Sequence, residues 1–166
     1  SLSDIAHTGA RSVRIESKTG ADSSWATRVK LQPNSNYRFS AWIKTENVKG
    51  ATGALLNLHE TQGIEGTKTA AITGTRDWTR VETSFNSGPH GDVTLNCLFG
   101  GWGQATGVAW FDDIEIVQTS SGAPLAGVPA EIGTVLRLVT GHYAARVPVE
   151  SAVPTLLDRK STRLNS

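Results

Sequence analysis

The sequence predicts an all-β fold, an antiparallel β-sandwich or barrel, for most of its length. Apolar and polar residues alternate with a period of two from Ser12 to Gln118, which is typical of half-buried strands. Gly, Pro, Asn and Asp interrupt this alternation at short intervals, and no helical spacing separates the alternating stretches. Strands that follow one another in this way form antiparallel sheets, in which one face is core and the other is free to contact a ligand.

Seven segments carry the strand pattern most clearly. In chain order they are SVRIES (12–17), WATRVKL (25–31), YRFSAWIKT (37–45), ALLNLHE (54–60), WTRVETSF (78–85), DVTLNCLF (92–99) and VAWFDDIEIV (108–117). The turn QPNSN (32–36) separates the second and third segments, because Pro and Asn favour turn conformations.

The alternation predicts which side chains face the core. In YRFSAWIKT the core side consists of Tyr37, Phe39, Ala41 and Ile43. The outward side consists of Arg38, Ser40, Trp42 and Lys44. In ALLNLHE, Asn57 and His59 face outwards because the leucines between and before them face the core, and in DVTLNCLF the same rule turns Asn96 outwards and Cys97 inwards.

The last strand contains two consecutive aspartates. Trp110 alternates with Ile114 and Ile116 and is predicted to lie in the core. Asp112 and Asp113 are predicted to point to opposite faces, since neighbouring side chains in a strand do so. Such a pair cannot act as the acid and nucleophile of a glycosidase, which need two carboxyl groups across one cleft.

The pattern changes after residue 118. TSSGAPLAG (119–127) is typical of a linker, and we place the linker at 119–128. Residues 129–157 are predicted to begin a truncated helical domain, because apolar residues recur there at helical spacing. The residues that carry this spacing are Ile132, Val135, Leu136, Val139 and Tyr143. DRKSTRLNS (158–166) resembles, residue for residue, a translated sequencing adapter, and we interpret it as a non-native tail.

Composition excludes several classes of function. The formal net charge of +1 is too small for a nucleic-acid-binding footprint, and no apolar run has the length of a membrane span. The one cysteine, Cys97, excludes an internal disulfide. The four histidines show no zinc spacing, and no C-x-x-C-H motif is present, so no haem is expected here.

Four phrases in order carry a family resemblance: TGARSVRIES, YRFSAWIKT, ITGTRDWTRVETSF and TGVAWFDDIEI. Together, over residues 5–118, they resemble carbohydrate-binding modules of families four and nine. The resemblance implies a jelly-roll sandwich with a galactose-binding-domain-like fold over residues 1–118, whose first strand is reduced here to LSDI. It also implies a non-catalytic module that binds polysaccharide or oligosaccharide and targets a larger secreted, periplasmic or cell-surface protein to glycans.

Two other functions stay open at this point. The first is a structural or protein-interaction sandwich that spaces domains, and the second is an accessory module of a glycoside hydrolase whose catalytic domain lies elsewhere. The segment after the linker resembles the helical stretch that follows such modules in large secreted planctomycete-type proteins with c-type haem domains. That resemblance implies a covalently linked downstream domain.

Aromatic and amide side chains are the candidate ligand contacts, because a pyranose stacks its apolar face on an aromatic ring and offers hydroxyls to polar groups. Trp102 lies in the glycine-rich loop GGWGQATG, which is too glycine-rich for core. If the outward-facing strands share one sheet, the five candidates on strands line one surface, and Trp102 is the candidate on the loop. The candidates are Trp102, Trp42, Asn57, His59, Asn96 and Arg38, whereas Trp25 and Trp78 are expected to be structural.

The resemblance also implies a structural calcium ion. The aspartate of the family that matches Asp112 commonly helps to hold calcium with backbone carbonyls. We therefore expect Asp112 as a calcium ligand, with Glu16 as a second candidate; the alternative is an Asp–Asp turn held by hydrogen bonds without metal.

Overall fold

In the computed structural model, residues 1–50 and 52–120 are described in full, and residues 134–139, 142–144 and 155–158 by their backbone. All of the regular elements in these ranges are strands. They are β1 (Leu2–Ser3), β2 (Ser12–Ala21), β3 (Ser23–Lys30), β4 (Asn36–Lys49), β5 (Gly53–His59), β6 (Gly74–Asn86), β7 (Asp92–Gly100), β8 (Ala105–Ser120), β9 (Thr134–Val139), β10 (His142–Ala144) and β11 (Thr155–Asp158). Within the described residues no helix has the length and apolar character needed to cross a membrane.

The strands form two antiparallel sheets, which confirms the predicted β-sandwich. Sheet I has the order β1-β2-β8-β4-β6, with β9 paired to the far end of β8 and β10 paired to β9. Sheet II has the order β11-β3-β7-β5. Residues 67–72 extend sheet II along the edge of β5, through backbone hydrogen bonds at both ends of the segment.

The core lies between the two sheets. Sheet I contributes Phe39 and Phe111, and sheet II contributes Leu56 and Phe99, all at 0% exposure. The inward positions predicted for β4 are confirmed, since Tyr37, Phe39, Ala41 and Ile43 are all fully buried. Burial of a large apolar side chain stabilises a fold by roughly 1.5–3 kcal/mol, so these residues hold the sheets together without a disulfide.

A β-bulge in β8 overturns two predictions for the last strand. Ser40 pairs with Glu115 and Trp42 with Asp112, so two residues of β8 oppose one of β4. Asp113 has a φ of 46°, and the extra residue shifts the alternation. Trp110 is buried, at 4% exposure, but on the outer face of sheet I and not in the core between the sheets. Asp112 and Asp113 lie on the same face rather than on opposite ones.

The prediction of helix was wrong for the three short strands after residue 120. The end of β8 extends beyond β2, and residues 114–117 offer a free edge on which β9 pairs. The sequence TVLRLV of β9 is half β-branched, and such residues favour strands. β8 also continues to Ser120, two residues into the expected linker. The remaining residues of 121–157, and 159–166 of the predicted tail, lie outside the described residues.

Candidate functional site

The outer face of sheet II carries a row of polar side chains that crosses three strands. Strand register places Asn96 of β7 opposite Asn57 of β5, and Asn57 opposite Lys68 of the edge segment. Backbone hydrogen bonds on both sides of the last pair fix Lys68 and Asn57 as direct neighbours on one face. We call Asn96, Asn57 and Lys68 the amide row.

Trp102 lies beside the amide row on a glycine-built loop. Gly100 and Gly101 both have positive φ, and a Cβ at Gly100 would lie 2.6 Å from the Ala21 carbonyl oxygen, so only glycine fits there. The Gly101 amide donates to Asp22, which ties the loop to the sheet. Trp102 is 61% exposed, and the ammonium of Lys68 lies 5.1 Å from the centroid of its ring.

The side-chain amides of Asn96 and Asn57 differ in the hydrogen bonds that they form. Asn96 accepts a hydrogen bond from Ser24 and donates one to the Thr94 carbonyl, both at 3.3 Å. Asn57 is 3% exposed, and its Oδ1 has no hydrogen-bond partner among the described residues. A buried acceptor without a donor costs about 1–3 kcal/mol, so a hydrogen bond donated to this atom would stabilise the protein.

The basic residues Arg28 and His59 lie one row further along this face. Both are paired in register with Thr94, at opposite sides of β7. Arg28 is exposed and His59 is half-buried. The structure therefore brings four of the six predicted contact residues, counting His59, to sheet II and its adjoining loop.

The other two predicted residues lie on the opposite side of the molecule. Arg38 and Trp42 belong to β4 of sheet I, so the condition that these strands share one sheet is not met and the five strand candidates do not line one surface. Alternation identifies the outward face of each strand, but it does not reveal which strands share a sheet. Lys68 was missed because its segment, 67–72, carries no strand-like alternation and pairs with β5 only at the sheet edge.

On sheet I the two aspartates bind the N-terminal segment, residues 1–11, which we call the N-terminal strap. The Asp112 carboxylate is 1% exposed and accepts the backbone N–H groups of His7 at 2.7 Å, Thr8 at 3.2 Å and Asp113 at 2.8 Å. Asp113 accepts the Thr8 hydroxyl at 2.5 Å and contacts His7 Nδ1 at 2.7 Å. We call these four residues the clasp.

The strap covers three tryptophans of sheet I. The His7 ring stacks on Trp42 with centroids 4.0 Å apart and meets Trp78 edge-on at 5.7 Å. The Trp110 indole donates to Ser3 Oγ at 3.1 Å. These contacts give Trp42 a packing role beneath the strap, which explains why it is half-buried despite facing outwards.

The residues around Asp112 give calcium no support. Calcium needs six to eight oxygen ligands, whereas the Asp112 oxygens already accept three N–H groups. Glu16 pairs with Arg14 at 2.6 Å and lies in register with Val108, four residues along β8 from Asp112. The fully described residues contain no group of three or more His, Cys, Asp or Glu side chains placed to hold a metal ion. Calcium binding stays a prediction.

Comparison with known proteins identifies the family. A family model described as a carbohydrate binding domain matches residues 1–99, more than half of the chain. None of the curated proteins compared with the chain matches it. The chain belongs to the carbohydrate binding domain family, and it is a carbohydrate-binding module with a β-sandwich fold and a saccharide ligand.

Proposed function

We propose that the saccharide binds on the outer face of sheet II, between Trp102 and the amide row. The exposed indole offers an apolar surface to the C–H face of a pyranose. The exposed Lys68 and the unsatisfied Asn57 amide are the candidate hydrogen-bond partners of its hydroxyls. One stacking group beside a few polar groups is the usual composition of a small-molecule site.

The observation that carries this proposal is that an exposed tryptophan and an unsatisfied amide oxygen lie close together on one face. Trp102 is the most exposed large apolar side chain among the described residues, and Asn57 Oδ1 is buried without a partner nearby. An exposed tryptophan and an unsatisfied amide each lower the stability of the fold. A sugar that covered the indole and donated a hydroxyl to Asn57 would offset both effects. On sheet I the strap covers the tryptophans, so no indole of the described part of that sheet is as exposed as Trp102.

We also propose that the chain acts without catalysis, as the targeting module of a larger secreted protein. Asp112 and Asp113, the two carboxylates that the bulge brings to one face, are both occupied by the clasp on sheet I. They lie on the opposite side of the sandwich from the amide row, so they cannot reach a sugar bound there. A parent enzyme would supply its chemistry from another domain.

Affinity electrophoresis of the full chain through gels containing soluble polysaccharides tests the proposed site. Retardation by a glycan is expected, and Trp102→Ala should remove most of it. Ile5→Ala is the matched control, because Ile5 is also an exposed apolar side chain, at 46%, but belongs to the strap on sheet I. Retardation that survives Trp102→Ala would reject the site, and migration unchanged in every gel would favour a spacer.

A further inference from the structure

Lys68 stands out because it lies between the two groups of the proposed site. Its side chain is exposed, it is the direct neighbour of Asn57 in the row, and its ammonium lies over the Trp102 ring. Within the fully described residues Lys68 forms no ion pair, while Lys44, Arg14 and Arg80 each have a carboxylate partner. Within the described part of the chain, the site therefore contains a cation that lies over an aromatic ring and has no carboxylate partner.

We infer that Lys68 makes the site select acidic saccharides, such as uronate-containing glycans, over neutral ones of the same backbone. This inference rests on the proposed function of the sheet II face. A sugar stacked on Trp102 would place its ring substituents within reach of the flexible ammonium, and a carboxylate there would form a charge-assisted hydrogen bond. A neutral sugar offers no such partner and must compete with the ammonium for the indole face.

The carboxylates on the sheet II strands lie away from Trp102, so the preference for an acidic saccharide is expected at the Trp102 end of this face. Two carboxylates, Glu60 and Asp92, lie beyond the His59–Thr94 pair, at the other end of the strands. Glu60 accepts the Thr94 amide at 2.9 Å, and Asp92 lies opposite Lys30 in register. The row formed by Ala26, Asn96, Asn57 and Lys68 contains no carboxylate. At the Trp102 end, the Asp22 carboxylate accepts the Gly101 amide of the loop at 3.1 Å. A uronate bound over the row would therefore meet the Lys68 cation and neutral amides, with Asp22 as the nearby carboxylate that holds the loop.

Matched pairs of glycans isolate the effect of charge. The pairs are polygalacturonate with its methyl ester, alginate with its propylene glycol ester, and carboxymethyl cellulose with hydroxyethyl cellulose. The full chain should bind the acidic member of at least one pair up to about fivefold more tightly, and high salt should reduce this preference. Lys68→Gln should abolish the preference but retain binding through Trp102.

Lys18→Gln is the matched control, since it removes the same charge from an exposed lysine of β2 on sheet I. Equal or tighter binding of the neutral members by the unmodified chain would overturn the inference and leave the proposed function standing. A preference lost equally in Lys18→Gln would show an effect of net charge and would also overturn it. Failure of every glycan to bind, charged or neutral, would reject the proposed function itself.

Discussion

At the scale of single residues, the two asparagines of the amide row should respond differently to the same substitution. Asn57→Leu removes a buried acceptor that has no partner among the described residues, so the free energy of unfolding should stay unchanged or rise by about 1 kcal/mol. Asn96→Leu breaks hydrogen bonds to Ser24 and Thr94, so the free energy of unfolding should fall by about 1–3 kcal/mol. Urea denaturation of both variants measures the difference.

Both substitutions should weaken saccharide binding, which separates stability from function at Asn57. A binding loss without a stability loss is expected where a polar atom is retained for a ligand. If Asn57→Leu destabilised the protein as strongly as Asn96→Leu, Asn57 would be a structural residue, and the site would lose its unsatisfied acceptor.

The Cys97 thiol is a second residue whose environment fixes its chemistry. Complete burial in the core raises the pKa of the thiol well above its ordinary range, because desolvation disfavours the thiolate. Thiol reagents should therefore react with the folded protein only as fast as it unfolds, at all pH values near neutrality. Rapid stoichiometric labelling of the native protein would contradict this burial.

At the scale of elements, the clasp holds the N-terminal strap on sheet I. Asp112→Ala would leave three N–H groups without their acceptor, so we expect a loss of about 2–4 kcal/mol in the free energy of unfolding. Asp77→Ala is the control, because Asp77 is an exposed partner of Lys44 and its removal should change stability little. Equal effects of the two substitutions would show that the clasp contributes nothing.

The hydrogen bonds of the clasp also predict how calcium affects the stability of the protein. Because backbone N–H groups satisfy Asp112, the melting temperature should be the same with calcium and with a chelator. Terbium titration gives an independent readout, since Trp42 and Trp110 lie near the clasp and would sensitise the emission of a bound ion. A calcium-dependent rise in melting temperature that Asp112→Asn abolishes would restore the calcium site implied by the family resemblance.

At the scale of the whole molecule, local alternation predicted the sandwich and its core but not the grouping of the strands. Inward and outward faces follow from the period of two, which each strand shows by itself. Membership of a sheet depends on pairing between distant segments, so the separation of Trp42 from Asn57 was not visible in the sequence. The bulge at Asp113 and the edge pairing of Lys68 are also products of tertiary pairing. The family resemblance predicted the function, and our proposal selects the sheet II face for it.

The five tryptophans allow that selection to be tested directly, because each indole N–H gives its own nuclear magnetic resonance signal. The measurement is a titration of the isotope-labelled full chain with an oligosaccharide of a glycan that retards it in electrophoresis. We predict that the Trp102 indole and the side-chain amides of Asn57 and Asn96 shift, while the indoles of Trp42, Trp78 and Trp110 stay in place. Shifts confined to the three tryptophans of sheet I would contradict the account and move the saccharide to the face beneath the strap.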